Sequence, residues 1–341
     1  MLTKKDKELI AAATKAISIR YRNDWQEVGA AMRTRDGHIV TGVNIDAYIG
    51  RIAVCAEAIA IGRAITESGD HGIETIVAVR HPKPDEPGKI AVVSPCGICR
   101  ELIHDYDAKA RVIVISSTGK HFSAGMDLSV FTDGDGVSAG KKSDQWARAE
   151  AMRQFVLKLQ GSFSCLDSAR MPVIAAIHGA CIGGAVDMTS ACDIRYCSAD
   201  AYFCIMEINI GMTADVGTFP RLCKLIPEGW VRELAYAGRR LPAEKAREIG
   251  LVNGVFATQQ EMLAYVMELA AEIASKAPVA VAGSKRMINH ARDHSIADGL
   301  DYIATWQAGM FAPPHMMEAF QAKAQKRTPD FPDLAPMRKK M

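Results

Sequence analysis

Three thiols and one carboxylate stand at a spacing that suits metal-assisted chemistry. Cys55-Ala56-Glu57 is followed, further along, by Pro95-Cys96-Gly97-Ile98-Cys99. Zinc prefers four tetrahedral ligands, and a catalytic site keeps one position open for water. Cys55, Cys96 and Cys99 would supply three thiolates, and Glu57 would be left free to carry protons. Cys55 opens an Ala- and Ile-rich helical stretch closed by Gly69, and the Cys96/Cys99 pair opens a second one over 96–106. Helix N-termini favour the negative charge of thiolates. A CxxC pair alone carries little information. Its combination with Cys-Ala-Glu on a separate helix is far more specific than a structural zinc or three core cysteines would require.

A second constellation lies downstream. Two glycine turns, Ser123-Ala124-Gly125-Met126 and Ile182-Gly183-Gly184, could aim the backbone N–H groups of Met126 and Gly184 at a carbonyl oxygen on which charge develops. Three carboxylates sit in otherwise apolar company: Asp187 in GGAVDM, Glu207 in CIMEINIG and Asp215 in MTADVGT. Apolar surroundings raise a carboxyl pKa, which suits proton transfer near neutral pH. Each acid by itself reads as a helix cap or a solvated residue. Together with the two glycine turns they read as a site for stabilising a thioester enolate.

The elements that must position these groups follow from periodicity. Residues 4–20 carry apolar side chains at helical spacing. Residues 28–32 and 38–42 are strand-like and flank a turn ending in Asp36-Gly37, a hairpin signal. Residues 75–79 and 90–93 are short β-rich runs, separated by a proline-rich loop. The front reads as an α/β layer pattern. Arg111–Ser116 (RVIVIS) is a strand that either of two sheets could claim, and its expected place is with the rear sheet or bridging the two. Behind it, 132–144 is rich in glycine and aspartate and reads as mobile, and 146–166 is helical. Residues 173–178, 194–197 and 202–204 are strands, and 217–324 is mostly helical. The tail after Lys326, rich in proline and lysine, reads as disordered or as a docking arm.

At 341 residues the chain can hold two modest domains. The expected division is 1–110, 111–326 and a tail over 327–341. A net charge of +2 gives no reason to expect nucleic acid or a membrane surface. Nine cysteines, an odd number, with no secretory signal point to reduced thiols and a cytoplasmic setting.

On Cys-Ala-Glu and Pro-Cys-Gly-Ile-Cys the front resembles the small cytidine deaminase family, including members like blasticidin-S deaminase. That resemblance implies an α/β/α layer and bound Zn2+. It also implies a reaction in which activated water attacks a ring carbon bearing an exocyclic amine, with Glu57 as acid and base. Asn44-Ile45-Asp46 stands where the family holds a nucleoside ribose, with aspartate in place of the usual glutamate.

The stretches HFSAGMDL, PVIAAIHGACIGGAVDMTSACDIRYCSADAYF, EINIGMTADVGTFPRL and RDHSIADGLDYIATW resemble the crotonase superfamily, and most of all its Δ3,5-Δ2,4-dienoyl-CoA isomerases. The resemblance implies a ββα spiral, here shortened at its front, with C-terminal helices. In such enzymes two acids, matched here by Glu207 and Asp215, move a proton along a dienoyl thioester, with Asp187 as a third acid of the pocket. No dissociable cofactor is implied for this half, since coenzyme A belongs to the substrate. The implied partners are an acyl-CoA thioester, a nucleoside and further copies of the chain. Two alternatives are an enoyl-CoA hydratase, and an active zinc deaminase carried on a crotonase-like oligomerisation body.

Overall fold

The computed structural model describes residues 4–23, 25–46, 54–67, 69, 72–84, 89–93, 111–117, 119–125 and 144–335. Two units divide the chain, one mainly Met1–Ala110 and the other Arg111–Ser116 with Lys120–Leu334.

In the front unit, β1 (Val28–Thr34) and β2 (Ile39–Val43) form the expected hairpin. β3 (Ile73–Arg80) and β4 (Ala91–Val93) extend it into a four-stranded antiparallel sheet of order β2-β1-β3-β4. Side chains alternate across a strand with period two. Ala30 and Met32 therefore pack with Ala56, Ala60, Ile61 and Ala64 of α2 (Ala56–Glu67). Ala31, between them, packs with Leu9, Ala13 and Ile17 of α1 (Lys4–Arg20) on the opposite face. This is the α/β/α layering that the resemblance implies.

Glycine at position 42 sets how closely α2 approaches the sheet. A Cβ there would collide with the Ala56 carbonyl oxygen, and would come within 2.6 Å of the Ala60 nitrogen. Backbone atoms cannot swing away, so Gly42→Ala must displace the helix that Cys55 precedes and Glu57 sits on. Overpacking of this kind costs about 1–3 kcal/mol. The expected result is a lower melting temperature, measured by thermal unfolding.

In the rear unit, β5 (Ile113–Ile115) pairs in parallel with β6 (Val173–Ile177), so the contested strand joins the rear sheet. β6 pairs with β8 (Ile194–Ser198), and β8 with β11 (Gly254–Phe256), all parallel. A second sheet holds β7 (Ala180–Ile182), β9 (Tyr202–Cys204) and β10 (Leu241–Pro242). Ser123 bridges to Cys181 of β7 just as β5 bridges to β6. Each turn of the chain thus lays one segment in each sheet before a helix returns it, giving a ββα spiral. β6 is apolar without interruption because both faces are covered. Val173, Ala175 and Ile177 enter the main core, while Ile174 and Ala176 meet Met262, Val266 and Ala270.

The helices of this unit are α3 (Gln145–Ser168), α4 (Gly184–Ser190), α5 (Thr218–Leu225), α6 (Glu228–Ala237) and α7 (Ala243–Glu248). They are followed by α8 (Gln259–Ala274), α9 (Pro278–Ala291), α10 (Ile296–Met310) and α11 (Pro313–Ala324). Lys285 of α9 is buried. Its ammonium donates to the Leu166 and Met171 carbonyls and to Asp193, at 2.9, 3.1 and 2.7 Å, which ties the helix to the spiral. The tail is docked as far as Asp333 rather than disordered. Phe331 is buried, and the Arg111 guanidinium donates to the Phe331 carbonyl at 2.8 Å and to Asp333 at 2.8 and 3.0 Å. Among the described residues, no helix is long and apolar enough to cross a membrane. The expected helix over 96–106 and most of 132–144 lie outside the described residues.

Candidate functional site

The rear spiral gathers the three acids that the sequence singled out. β7 ends at Ile182 and the chain turns at Gly183, with φ 56° and ψ −123°. Such a positive φ favours glycine. A Cβ at Gly183 would also lie 3.1 Å from Glu207 Oε1, so the missing side chain is what allows the glutamate to rest against this turn. Gly184 then begins α4, where the first N–H groups have no intrahelical acceptor. Met126, the other expected N–H donor, lies outside the described residues. Gly125, just before it, passes over the end of β7, its Cβ position 3.4 Å from the Ile182 carbonyl oxygen.

Asp187, on the first turn of α4, is 0% exposed. Its Oδ1 accepts two hydrogen bonds from one residue, the Thr218 N–H at 2.6 Å and the Thr218 hydroxyl at 2.7 Å. Its Oδ2 is buried and has no hydrogen-bond partner among the described residues. Burial pushes the Asp187 carboxyl above its ordinary pKa. The Thr218 bonds oppose the rise, Asp215 adds to it and Arg221 reduces it.

Glu207 opens a single 3-10 turn, Glu207–Ile210, just after β9. Its Oε2 is also buried without a partner among the described residues. Its pKa is raised, first by burial and then by the charges of Asp187 and Asp215. Asp215 lies in the loop before α5, half-buried, and its backbone carbonyl accepts from Gln160 Nε2 at 2.7 Å. Phe163, also on α3, approaches the Gly184 turn to 3.9 Å from its Cβ position. The arrangement is a group of neighbouring carboxylates that act on one another's charge, and two of them, Asp187 and Glu207, hold protons more tightly than usual. Unpartnered acid oxygens of this kind suit proton transfer to and from a carbon acid.

Three contributors were not singled out in the sequence: Thr218, Gln160 and Arg221. Gly-Thr-x-Pro at 217–220 is a helix-start signal, so the beginning of α5 was legible. That this start would grip an acid on another helix was not.

In the front unit, Cys55 immediately precedes α2, and its carbonyl accepts the helix's Ile59 N–H at 3.2 Å. The thiol therefore stands at the N-terminus, partly exposed. Glu57 is 4% exposed, on the first turn. Ile45 and Val54 exchange backbone hydrogen bonds of 2.8 Å, which draws Asn44-Ile45-Asp46 alongside the approach to Cys55. The Asn44 side chain is largely engaged already. Its Oδ1 accepts from the Glu27 and Val28 N–H groups at 2.9 Å each, and its Nδ2 donates to the Trp25 carbonyl at 3.1 Å. Among the described residues, these three hydrogen bonds engage most of its amide. Asp46, beside it, is exposed. Cys96 and Cys99 lie outside the described residues. The described part of the donor set suits a thiophilic metal: one thiol at a helix N-terminus with a buried carboxylate close behind it.

Comparison with known proteins gives both halves a family. The enoyl-CoA hydratase/isomerase family matches residues 102–334, and the cytidine and deoxycytidylate deaminase zinc-binding region matches residues 3–115. The mitochondrial Δ(3,5)-Δ(2,4)-dienoyl-CoA isomerase of Mus musculus is 40% identical over 278 residues, covering 78% of this chain and 84% of the relative. Blasticidin-S deaminase of Bacillus cereus is 51% identical over 120 residues, covering 35% of this chain and 84% of the relative. Among solved structures, an enoyl-CoA hydratase subunit of Geobacillus kaustophilus HTA426 superposes with a TM-score of 0.58 at 28% identity, covering 69% of this chain and 85% of that one. The cytoplasmic setting expected from the cysteines is overturned. The related isomerases are mitochondrial in mouse and peroxisomal in Arabidopsis thaliana. Reduced thiols report a redox state, not an address. The chain thus belongs to the enoyl-CoA hydratase/isomerase family through its rear two thirds, and its front third to the zinc-binding cytidine and deoxycytidylate deaminases.

Proposed function

We propose that the chain joins two enzymes that meet at residues 110/111: a zinc-dependent deaminase of a cytidine-like nucleoside in front, and an isomerase of dienoyl-CoA thioesters behind. The observation that carries the rear assignment is the gathering of Asp187, Glu207 and Asp215 near the Gly183 turn, with one oxygen each of Asp187 and Glu207 buried and unpartnered among the described residues. One member of the Glu207/Asp215 pair takes a proton from the carbon next to the thioester carbonyl. The charge spreads along the diene to the carbonyl oxygen, which the N–H groups of Met126 and Gly184 receive. The other member, protonated, returns a proton to the far end of the conjugated system. The double bonds shift, and the two acids exchange protonation states.

In front, Cys55, Cys96 and Cys99 would hold Zn2+, which when bound lowers the pKa of water toward neutrality. Glu57 moves protons between that water and the leaving amine. Its burial next to the helix N-terminus supports this role. Asn44 and Asp46 would face a sugar hydroxyl.

The chain is further proposed to act as a homo-oligomer, which accords with exposed apolar side chains on its C-terminal helices, including Ile296 at 85% exposed, Leu300 and Phe320.

The test pairs elemental analysis of the purified chain with the ultraviolet change on dienoyl-CoA isomerisation in the same sample. The expected result is zinc near one per chain and a measurable isomerase rate. Zinc without isomerisation would leave the rear unit as an oligomerisation body, and hydration of an enoyl-CoA in its place would make it a hydratase. Isomerisation without zinc, in protein never exposed to chelator, would sink the deaminase assignment.

A further inference from the structure

The buried grip on Asp187 has a consequence for where its proton sits. Oδ1 accepts two donors, the N–H and the hydroxyl of Thr218, at 2.6 and 2.7 Å. An oxygen accepting two short hydrogen bonds is the wrong place for a proton. Any proton on this carboxyl therefore belongs on Oδ2, the buried oxygen with no partner among the described residues. Both donors come from one residue, the first of α5, so the helix start and the acid are rigidly linked.

We propose that Thr218 is a positioning residue that fixes Asp187 with its proton on Oδ2, presenting a single oriented O–H donor to the acyl chamber while Oδ1 remains an acceptor. The charged groups facing this carboxyl are Asp215 in the loop before α5, Glu207 after β9 and Arg221 on α5. The two acids disfavour its ionisation and Arg221 favours it. Thr218 sets the balance by favouring the anion as well, while dictating which oxygen is protonated. The inference rests on the isomerase reading for its catalytic meaning, but the position of the proton can be measured without any substrate.

The experiment compares wild type, Thr218→Val and Thr218→Ser by infrared titration of the Asp187 carboxyl, isolated as the difference from Asp187→Asn. Valine keeps the backbone N–H and the shape but removes the hydroxyl. Without that donor the neutral acid should persist to higher pH, by about one unit. Serine should restore the wild-type titration. In the isomerase assay Thr218→Val should lower kcat about tenfold at nearly unchanged KM, with the pH limb moved in the same direction. An Asp187 band that titrates alike in wild type and Thr218→Val would overturn the proposal. So would a kcat that stays put while the band moves. A wild-type protein that isomerises no dienoyl-CoA would remove the reaction reading, and the substrate-free titration would still decide whether Thr218 governs the Asp187 proton.

Discussion

Glu207→Gln is expected to lower kcat for dienoyl-CoA isomerisation by about 10²–10⁴-fold at nearly unchanged KM, the range typical for removing a positioned general acid or base. The amide keeps the size and polarity of the side chain but can neither take nor release the proton. The same substitution should raise the melting temperature at neutral pH. Glu207 is half-buried against the Gly183 turn with its Oε2 shielded from solvent, near Asp187 and Asp215, and its proton is held more tightly in the folded chain than in the unfolded one. An acid whose folded pKa is raised contributes stability below its unfolded pKa. That contribution is lost as pH rises through the folded value. Above that value the wild type carries a half-buried carboxylate facing two other acids, and glutamine does not. The gap in melting temperature between variant and wild type should therefore close as pH falls toward the ordinary glutamate range. Thermal melts across pH, run beside the kinetic assay, check both parts. A variant that loses activity and melts lower at neutral pH would mean that the carboxylate holds the fold, contrary to the role given to it here.

In the front unit, Glu57→Gln is expected to reduce ammonia release from a cytosine nucleoside by about 10²–10⁴-fold while the zinc content stays at the wild-type level. The distinction between losing the metal and losing the proton carrier is what gives this substitution its value. Cys55 stands at the N-terminus of α2, where a thiolate is favoured, and is one of the three proposed metal ligands. Glu57 is buried on the first turn of α2 and, in this proposal, would not bind it. Elemental analysis and a deamination assay on the same preparation separate the roles. If Glu57→Gln also strips the zinc, Glu57 is a ligand or a structural anchor, and the proton-transfer assignment falls.

Much of the fold was legible before any coordinates. The hairpin at 28–43 follows from alternation around Asp36-Gly37, and α2 from its Ala- and Ile-rich periodicity closed by Gly69. The uninterrupted apolar run of β6 reads as a strand covered on both faces, and it is one. Both chemical constellations were visible because their residue types are unusual for their surroundings: acids in apolar stretches, and cysteines at fixed spacing.

The sequence by itself determined the local elements, the families and the residue types available to each site. Tertiary structure decided the rest, because it depends on contacts between residues far apart in the chain. Arg111–Ser116 has strand propensity for any sheet, and only its pairing with Val173–Ile177 assigns it to the rear one. Asn44 looks like a ligand-binding amide in sequence, yet three backbone groups from residues 25–28 occupy most of it. The tail after Lys326 is polar enough to read as loose, yet Phe331 and the Arg111 guanidinium anchor it. Asp187 and Thr218 lie on different helices, and no periodicity links them. Their pairing arises where the spiral brings α4 against the start of α5, and that contact decides which oxygen of a buried acid is left to react.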